Sequence, residues 1–381
     1  MHEIVILGST GSIGVQALDI VEANPSLFTV VALSAAGTHP ELLIAQAKKF
    51  RVKVVGVVKN ADLIRQALPG VEVIDGQHAS TEVAAISCDV VLNAITGSIG
   101  LAPTLAALDV DNRVALANKE SLVAGGDLVI GRAKPDQLLP VDSEHSAIWQ
   151  ALIGEKKSEI AKLVLTASGG PFRDRRDLSS VTLAEALEHP TWSMGPVVTI
   201  NSASLMNKGL EIIEAHYLFG VPYSQIEAVI HPQSVVHSMV EFVDGSTIAQ
   251  ASPPNMKGPI SLALHYPHRV PAATQPIDWT QSHSWTFAPI DFKRFPAIAL
   301  ARTCGEIGGG LPAIFNASNE VAVQAFIDGQ IGFTTIIDVV SSVVDSLRAS
   351  AAQALRDLAD VSAAEEDARR STREHLKKVG S

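Results

Sequence analysis

The apolar positions of this chain follow two rhythms. Short, nearly continuous runs of Val, Ile, Leu and Ala occupy residues 4–7, 29–35, 53–58, 89–94, 113–116 and 137–141, and predict buried strands. Segments with apolar residues at three-and-four spacing predict helices over 15–23 and 41–50. Strands alternating with helices predict βαβ units and a mostly parallel sheet over residues 1–142. From 143 to about 260 the order changes. Strands are predicted at 161–167, 197–201, 226–230 and 235–242, with a helix over 206–219, so a second α/β layer is expected. Residues 261–286, with Pro267, Pro271 and Pro276, read as an irregular linker. From 287 to 381 the signal is helical, over 296–303, 317–328 and 334–347. Within the last of these, Ile336, Val339, Val340, Val343, Val344 and Leu347 share one helix face. The last twenty residues are charged and read as a frayed end or as one more helix.

Composition narrows the class. At 381 residues the chain exceeds one compact core, so two or three domains are expected. Hydrophobic residues make up 47% and charged residues 18%, with few aromatics, which suits parallel strands covered by Ala-rich helices. A formal net charge of −11 argues against a nucleic-acid partner, which needs a basic face. It leaves room for an anionic substrate at a locally positive site. Cys88 and Cys304 lie in no metal or redox motif and read as buried small hydrophobes. The start of the chain lacks a secretory pattern, and no run approaches the roughly 18 apolar residues of a membrane span. A cytoplasmic protein without a membrane partner is expected.

The first turn is Gly8-Ser9-Thr10-Gly11-Ser12-Ile13-Gly14. Glycines here permit a tight turn and let backbone N–H groups approach a pyrophosphate at a helix N-terminus. The spacing is GxxGxxG, and a plain strand–helix turn is the alternative. The tip of the second strand reads Ser34-Ala35-Ala36-Gly37-Thr38-His39, without an acid. A carboxylate there would favour the 2′-hydroxyl of NADH; its absence predicts NADPH, with Gly37, Thr38 and His39 at the adenosine end.

Asp142 and Glu144 sit two apart at the end of an apolar run. If that segment is extended, both side chains point to one side. Carboxylates suit Mg²⁺ or Mn²⁺ with open positions for substrate; two solvated acids, or a cap for a helix starting near Ser146, are the alternative. Asn207 and Glu211 lie four apart on a predicted helix and share a face. Glu211 would complete the metal shell, while Ser202, Asn207 and Lys208 would supply donors to a phosphate. A capped helix start with a surface ion pair is the plainer reading of those residues. His231 and His237 read as structural hydrogen-bonding groups before pocket residues. His145 reads as a support for Glu144 or as part of a helix cap.

The strings GSTGSIG (8–14), LANKESL (116–122), LLPVDSEH (138–145), SGGPFR (168–173), HPTWSMG (189–195), NSASLMNKGLE (201–211) and IHPQSVVHSMV (230–240) together resemble the 1-deoxy-D-xylulose 5-phosphate reductoisomerase family. The resemblance extends through NASNEVAVQAF (316–326). It implies an α/β fold with an N-terminal Rossmann-like NADPH domain (1–142), a central α/β catalytic and dimerisation domain (143–260), a linker (261–286) and a C-terminal helical domain (287–381). It implies a homodimer that rearranges a sugar phosphate and reduces the product with NADPH and Mg²⁺ or Mn²⁺, with Co²⁺ as a further candidate. Asp142, Glu144 and Glu211 would hold the metal. Lys119 and Ser143 would contact substrate oxygens; Ser168, Ser202, Asn207 and Lys208 would bind its phosphate. His189 would contact substrate from a mobile loop, with Trp192 as lid. Thr10, Gly11, Ser12, Ile13, Gly37, Asn118, Glu120 and Gly195 would touch NADPH. The Thr38-His39 pair departs from the basic residue and Asn that many members carry. The rearrangement can run by retro-aldol cleavage or by a 1,2-shift, and the sequence leaves both open.

The loop 168–195 reads as one that closes over substrate and excludes water; an ordinary exposed loop is the alternative. Two rival functions are weaker. A semialdehyde dehydrogenase needs a nucleophilic Cys, and none lies between Cys88 and Cys304. A non-catalytic NADPH-binding regulator would not need three acids and a phosphate cradle.

Overall fold

The structure is a computed structural model, and it describes residues 1–192 and 194–379. Two compact units divide the chain: one holds Met1–Ser121, Val129–Ser146 and Asn255–Pro276, the other Leu122–Leu128, Ala147–Pro254 and the residues from Ile277 onward.

In the first unit, β1 (His2–Leu7), α1 (Ser12–Ala23), β2 (Phe28–Ala35), α2 (Pro40–Phe50), β3 (Val54–Val57), α3 (Ala61–Ala67) and β4 (Glu72–Asp75) come first. Then follow α4 (Ala79–Ala84), β5 (Val90–Asn93), α5 (Leu101–Asp109), β6 (Arg113–Leu116) and β7 (Leu138–Pro140), while α6 (Glu120–Arg132) and α7 (Ser143–Ala151) each have residues in both units. The seven strands are parallel, in the order β4-β3-β2-β1-β5-β6-β7. Strand order therefore reverses at β1 and β5, and ligands of such sheets bind at the carboxyl ends beside that reversal. Ile4, Val5, Ile6 and Leu7 are all fully buried, as are Val91 and Leu92 on β5. Burial on both faces explains why these strands read as continuous apolar runs rather than as alternation.

The second unit contains β8 (Ile160–Ala167), α8 (Leu183–Leu187), α9 (Pro196–Ala203), α10 (Met206–Phe219), β9 (Ile226–Ile230), β10 (Val236–Phe242) and β11 (Thr247–Ala251). Helix α11 (Lys257–His265) belongs to the first unit, where it packs on α1, β1, β6 and β7. A Lys257–Asp19 ion pair at 2.8 Å and an Arg113 hydrogen bond to the Tyr266 carbonyl at 3.1 Å fasten it there. The chain ends with β12 (Ala288–Pro289), α12 (Ala297–Ile307), α13 (Leu311–Ile327), α14 (Thr335–Ala351) and α15 (Leu358–Val379). The second sheet runs β11-β10-β8-β9-β12, with β8 and β9 parallel and the other pairs antiparallel. Helix α10 packs on α9 and α12, and α13 packs on α14 and α15.

Two expectations change, and the tail, left open between a frayed end and a helix, takes the helical form. Residues 197–201 form part of helix α9, not a strand. Gly195 is its N-cap, Pro196 opens its first turn, and the Thr199 hydroxyl donates back to the Gly195 carbonyl at 3.0 Å. The Val-Val-Thr-Ile run favours a strand by propensity, but Ile200 and Ala203 are fully buried in this unit's core, and packing decides. The expected linker begins inside α11, so residues 261–265 are helical, with Ser261, Leu262, Ala263 and Leu264 buried. The charged tail is helical through Val379; Val361, Glu365, Ala368 and Thr372 form its buried stripe, which holds too few apolar residues to read from sequence. Residues 380 and 381 of that tail lie outside the described residues. Strand β4 and helices α3 and α4 carried no periodic signal of their own.

Candidate active site

The nucleotide turn has the shape its glycines allow. Gly8 has φ +79°, and a Cβ on it would lie 2.6 Å from the Ala94 carbonyl oxygen on the loop after β5. A Cβ on Gly14 would lie 2.4 Å from the Gly8 carbonyl oxygen. Backbone thus meets backbone across the reversal point, which no larger residue permits. Gly11 caps α1 without a side-chain hydrogen bond, and the first turn of α1 holds no acid. Gly11 and Ser12 are exposed, Thr10 and Ile13 half-buried. An uncapped helix N-terminus free of nearby carboxylates fits a pyrophosphate.

Asn118, expected to touch the cofactor, is buried and braces the neighbouring loop. Its Nδ2 reaches the carbonyls of Ile95 at 2.7 Å and Gly97 at 2.9 Å and Oε2 of Glu120 at 2.8 Å. Its Oδ1 accepts the Ser121 N–H at 3.0 Å. At the end of β2, Gly37 has φ +81° and is buried, while Thr38 and His39 are exposed.

The first unit also places Lys119, Asp142, Ser143 and Glu144. Lys119 Nζ lies 2.7 Å from Asp142 Oδ2, and Ser143 Oγ donates to Glu144 Oε2 at 2.6 Å. Helix α7 begins at Ser143, and the Ser146 N–H donates to the Asp142 carbonyl at 2.8 Å. The extended alternation expected to align Asp142 with Glu144 is therefore absent: Asp142 precedes the helix and Glu144 stands in its first turn. His145 is fully buried, with Nδ1 4.0 Å from Asp142 Oδ2.

In the second unit His189 joins two serines. Its Nε2 lies 3.1 Å from Ser168 Oγ and 3.1 Å from Ser202 Oγ. Its Nδ1 accepts the N–H groups of Thr191 at 3.1 Å and Trp192 at 2.8 Å. With Nδ1 an acceptor, the neutral ring carries its proton on Nε2 and donates to the hydroxyls. Each hydroxyl then keeps its own proton for a ligand oxygen. Gly169 and Gly170, at φ +83° and +65°, fold the chain so that a Cβ on Gly170 would lie 3.0 Å from the Ser202 carbonyl oxygen. Ser202 itself lies in the last turn of α9 rather than at a strand end.

Burial holds the His189 pKa below that of an ordinary histidine. The unfolded chain, whose histidines titrate near about 6.5, binds the proton first as pH falls. His189 therefore costs no stability above that pH and lowers it progressively below. We expect the fall in Tm between about pH 7 and 5 to be shallower in His189→Gln than in the parent; parallel Tm curves would contradict this.

Helix α10 carries the remaining donors. Asn207 Nδ2 bonds to Glu211 Oε1, and Lys208 Nζ pairs with Glu211 Oε2, so the predicted i, i+4 face is present. The Lys208 and Glu211 side chains are 4% and 2% exposed. Trp192 sits with its ring centre 6.2 Å from that of His237. Gly195 is the exposed-to-helix junction at the start of α9, and Ser193 lies outside the described residues. His231 is a structural group: Nδ1 lies 2.9 Å from the Thr286 carbonyl, and Nε2 accepts the N–H groups of Val235 and Val236. His237 Nε2 lies 3.1 Å from the Ser252 carbonyl.

Sequence reasoning missed Arg294, whose guanidinium donates to the carbonyls of Arg173 at 2.6 Å and Arg175 at 2.8 Å and pins the first part of the 168–195 loop. Nothing in spacing links residues so far apart. Neither cysteine offers a nucleophile: burial pushes both thiols up to about 12. Cys304 is buried as expected, whereas Cys88 is only half-buried.

A parallel sheet with an open glycine turn at its strand reversal defines the class of dinucleotide-binding α/β proteins. Comparison with known proteins makes this specific. Residues 4–126 match the family model for 1-deoxy-D-xylulose 5-phosphate reductoisomerase, and residues 138–219 and 251–371 match its two C-terminal domain models. The chain belongs to the 1-deoxy-D-xylulose 5-phosphate reductoisomerase family. The member from Paenarthrobacter aurescens is 55% identical over 389 residues, covering 98% of each chain. The member from Kitasatospora griseola is 58% identical over 351 residues, covering 89% of this chain and 91% of its own. A crystal structure of such a reductoisomerase with NADPH, fosmidomycin and magnesium aligns over 100% of this chain and 99% of its own, with TM-score 0.94 and 37% identity. The Zymomonas mobilis enzyme with NADPH aligns over 98% and 99%, with TM-score 0.91 and 39% identity.

Proposed function

We propose that this chain converts 1-deoxy-D-xylulose 5-phosphate to 2-C-methyl-D-erythritol 4-phosphate with NADPH and a divalent cation, in the supply of isoprenoid precursors. Family membership along the chain carries the activity. The assignment of residues rests chiefly on one observation: Asp142 and Glu211 are shielded carboxylates, each held against a lysine ammonium. Carboxylates placed away from water call for positive charge, and an oxygen donor set suits Mg²⁺ or Mn²⁺. Magnesium accompanies the relative with fosmidomycin.

In this reading Asp142, Glu144 and Glu211 hold the ion. When bound, the ion supplies Lewis-acid polarisation of the substrate's vicinal oxygens, and NADPH supplies the hydride. Lys119, released from Asp142, and Ser143 orient those oxygens. Ser168, Ser202, Asn207 and Lys208 grip the phosphate, remote from the reacting carbons, so that its binding energy positions the rest. His189 fixes both serine hydroxyls and contacts substrate, and Trp192 covers it. Thr10, Gly11, Ser12 and Ile13 receive the pyrophosphate; Gly37, Asn118, Glu120 and Gly195 complete the cofactor site. The functional segments are 1–142 for NADPH, 143–260 for catalysis and pairing of two copies, and the helical 287–381. The protein acts in the cytoplasm as a homodimer, a state that light scattering tests; no helix among the described residues is long and apolar enough to cross a membrane.

The decisive experiment follows NADPH absorbance with 1-deoxy-D-xylulose 5-phosphate, in the presence of Mg²⁺ or Mn²⁺ and after chelation. Oxidation is expected only with both substrate and ion. Oxidation that survives full chelation, or none under any of these conditions, would overturn the reading.

A further inference from the structure

NADPH differs from NADH only in the 2′-phosphate, so a chain that selects NADPH must bring charge to the end of β2, where the adenosine ribose sits in sheets of this order. That end carries no arginine or lysine of its own: it reads Ala36-Gly37-Thr38-His39. The neighbouring strand supplies one. Lys59 follows β3 by two residues, and its N–H donates to the Ala36 carbonyl at 3.1 Å. Gly37, at φ +81°, packs so closely that a Cβ on it would lie 2.2 Å from the Lys59 carbonyl oxygen. Asn60, next in sequence, donates from Nδ2 to the Gly37 carbonyl at 2.8 Å. One backbone hydrogen bond, one side-chain hydrogen bond and the close approach at Gly37 therefore lock the end of β3 to the turn after β2.

Charge at this corner is already sorted. Arg65 pairs with Asp62 at 3.1 Å and with Asp75 at 2.8 Å, so both acids are matched. Glu41, in the first turn of α2, is exposed. Lys59 is exposed, and its ammonium makes no ion pair among the described residues. We infer that Lys59 reads the 2′-phosphate of NADPH and sets the cofactor preference of this chain. It is a specificity residue, supplied by β3 in place of a basic residue after β2. A lysine acts as a point charge on a long stem, so it does not need the fixed register of a guanidinium fork. The buried Gly37 turn is what brings it within reach, since any side chain there would push the two strand ends apart. This inference rests on the NADPH-dependent reading above.

The test titrates the full chain with NADPH and, separately, NADH, by calorimetry or nicotinamide fluorescence. Lys59→Gln is compared with the parent and with Lys53→Gln, an exposed lysine at the opposite end of β3. We expect Lys59→Gln to weaken NADPH roughly tenfold or more, the size of a lost charge-assisted hydrogen bond, and to leave NADH within about twofold. Unchanged NADH affinity also shows that the fold is intact. Lys53→Gln should alter neither. If the parent prefers NADPH and Lys59→Gln keeps that preference, Lys59 is not the reader. If Lys59→Gln weakens both cofactors equally, its role is structural and the inference falls. If the parent itself binds both cofactors alike, the NADPH reading fails and this inference with it.

Discussion

Glu211→Gln should lower kcat about 100-fold or more while leaving a folded protein, the size expected when one preorganised electrostatic group is lost from a transition state. The substitution keeps shape and an acceptor but removes a full negative charge from surroundings where Glu211 is 1% exposed. Two effects follow. Affinity for Mg²⁺ or Mn²⁺ should weaken, because an amide oxygen is a poorer ligand for a hard cation than a carboxylate. Stability should also fall, because the Lys208 ammonium, 4% exposed, then faces a neutral amide; breaking a buried pair costs up to about 3–5 kcal/mol when a partner is removed outright, and retained hydrogen bonding should keep this loss below that. Steady-state kinetics across a metal titration, with a thermal melt, separate the two. Near-parental turnover at saturating metal would remove Glu211 from the mechanism.

Gly14→Ala should disable the nucleotide site with the addition of one methyl group. Its Cβ would fall 2.4 Å from the Gly8 carbonyl oxygen and 2.6 Å from Ser9 Cα. Both are backbone atoms, so no flexible side chain can yield, and either the turn or the start of α1 must shift. A displacement of about 1 Å in groups that position a reactant costs on the order of 100-fold, and we expect kcat/KM for NADPH to fall by about that much. Overpacking of this kind also destabilises by roughly 1–3 kcal/mol. NADPH fluorescence titration and a thermal melt test both parts; parental affinity for NADPH would show that the turn accommodates a side chain.

What the sequence revealed depended on the physics behind each signal. Strands buried on both faces advertise themselves, and β1, β2, β5 and β6 lie where their apolar runs predicted. Helix α10, with its caps at Leu205 and Gly220 in left-handed conformation, begins and ends as its periodicity indicated. Helix α9 was hidden because β-branched residues favour strands locally, and only the packing of Ile200 and Ala203 overrides them. The acid pair illustrates a subtler limit. Asp142 and Glu144 were recognisable as chemistry-bearing residues, yet the backbone that carries them changes from strand to helix between β7 and α7, and spacing alone cannot tell alternation from a helical turn. Lys119 against Asp142, and the three serine–histidine partners, are contacts between distant segments, which periodicity does not report. Asn118 stood out by motif, but its hydrogen bonds to Ile95, Gly97, Glu120 and Ser121 join segments that no spacing rule connects.

Helix α11 gives the nucleotide unit an unusual order of completion. The strands of the seven-stranded sheet are all present by Pro140, but one covering element of β1, β6 and β7 is encoded more than a hundred positions later, after β8 to β11 have been passed. A nascent chain cannot finish its leading unit until much of the trailing one has been synthesised. Excision of residues 1–142 as a free module would leave apolar surface of that sheet bare to water.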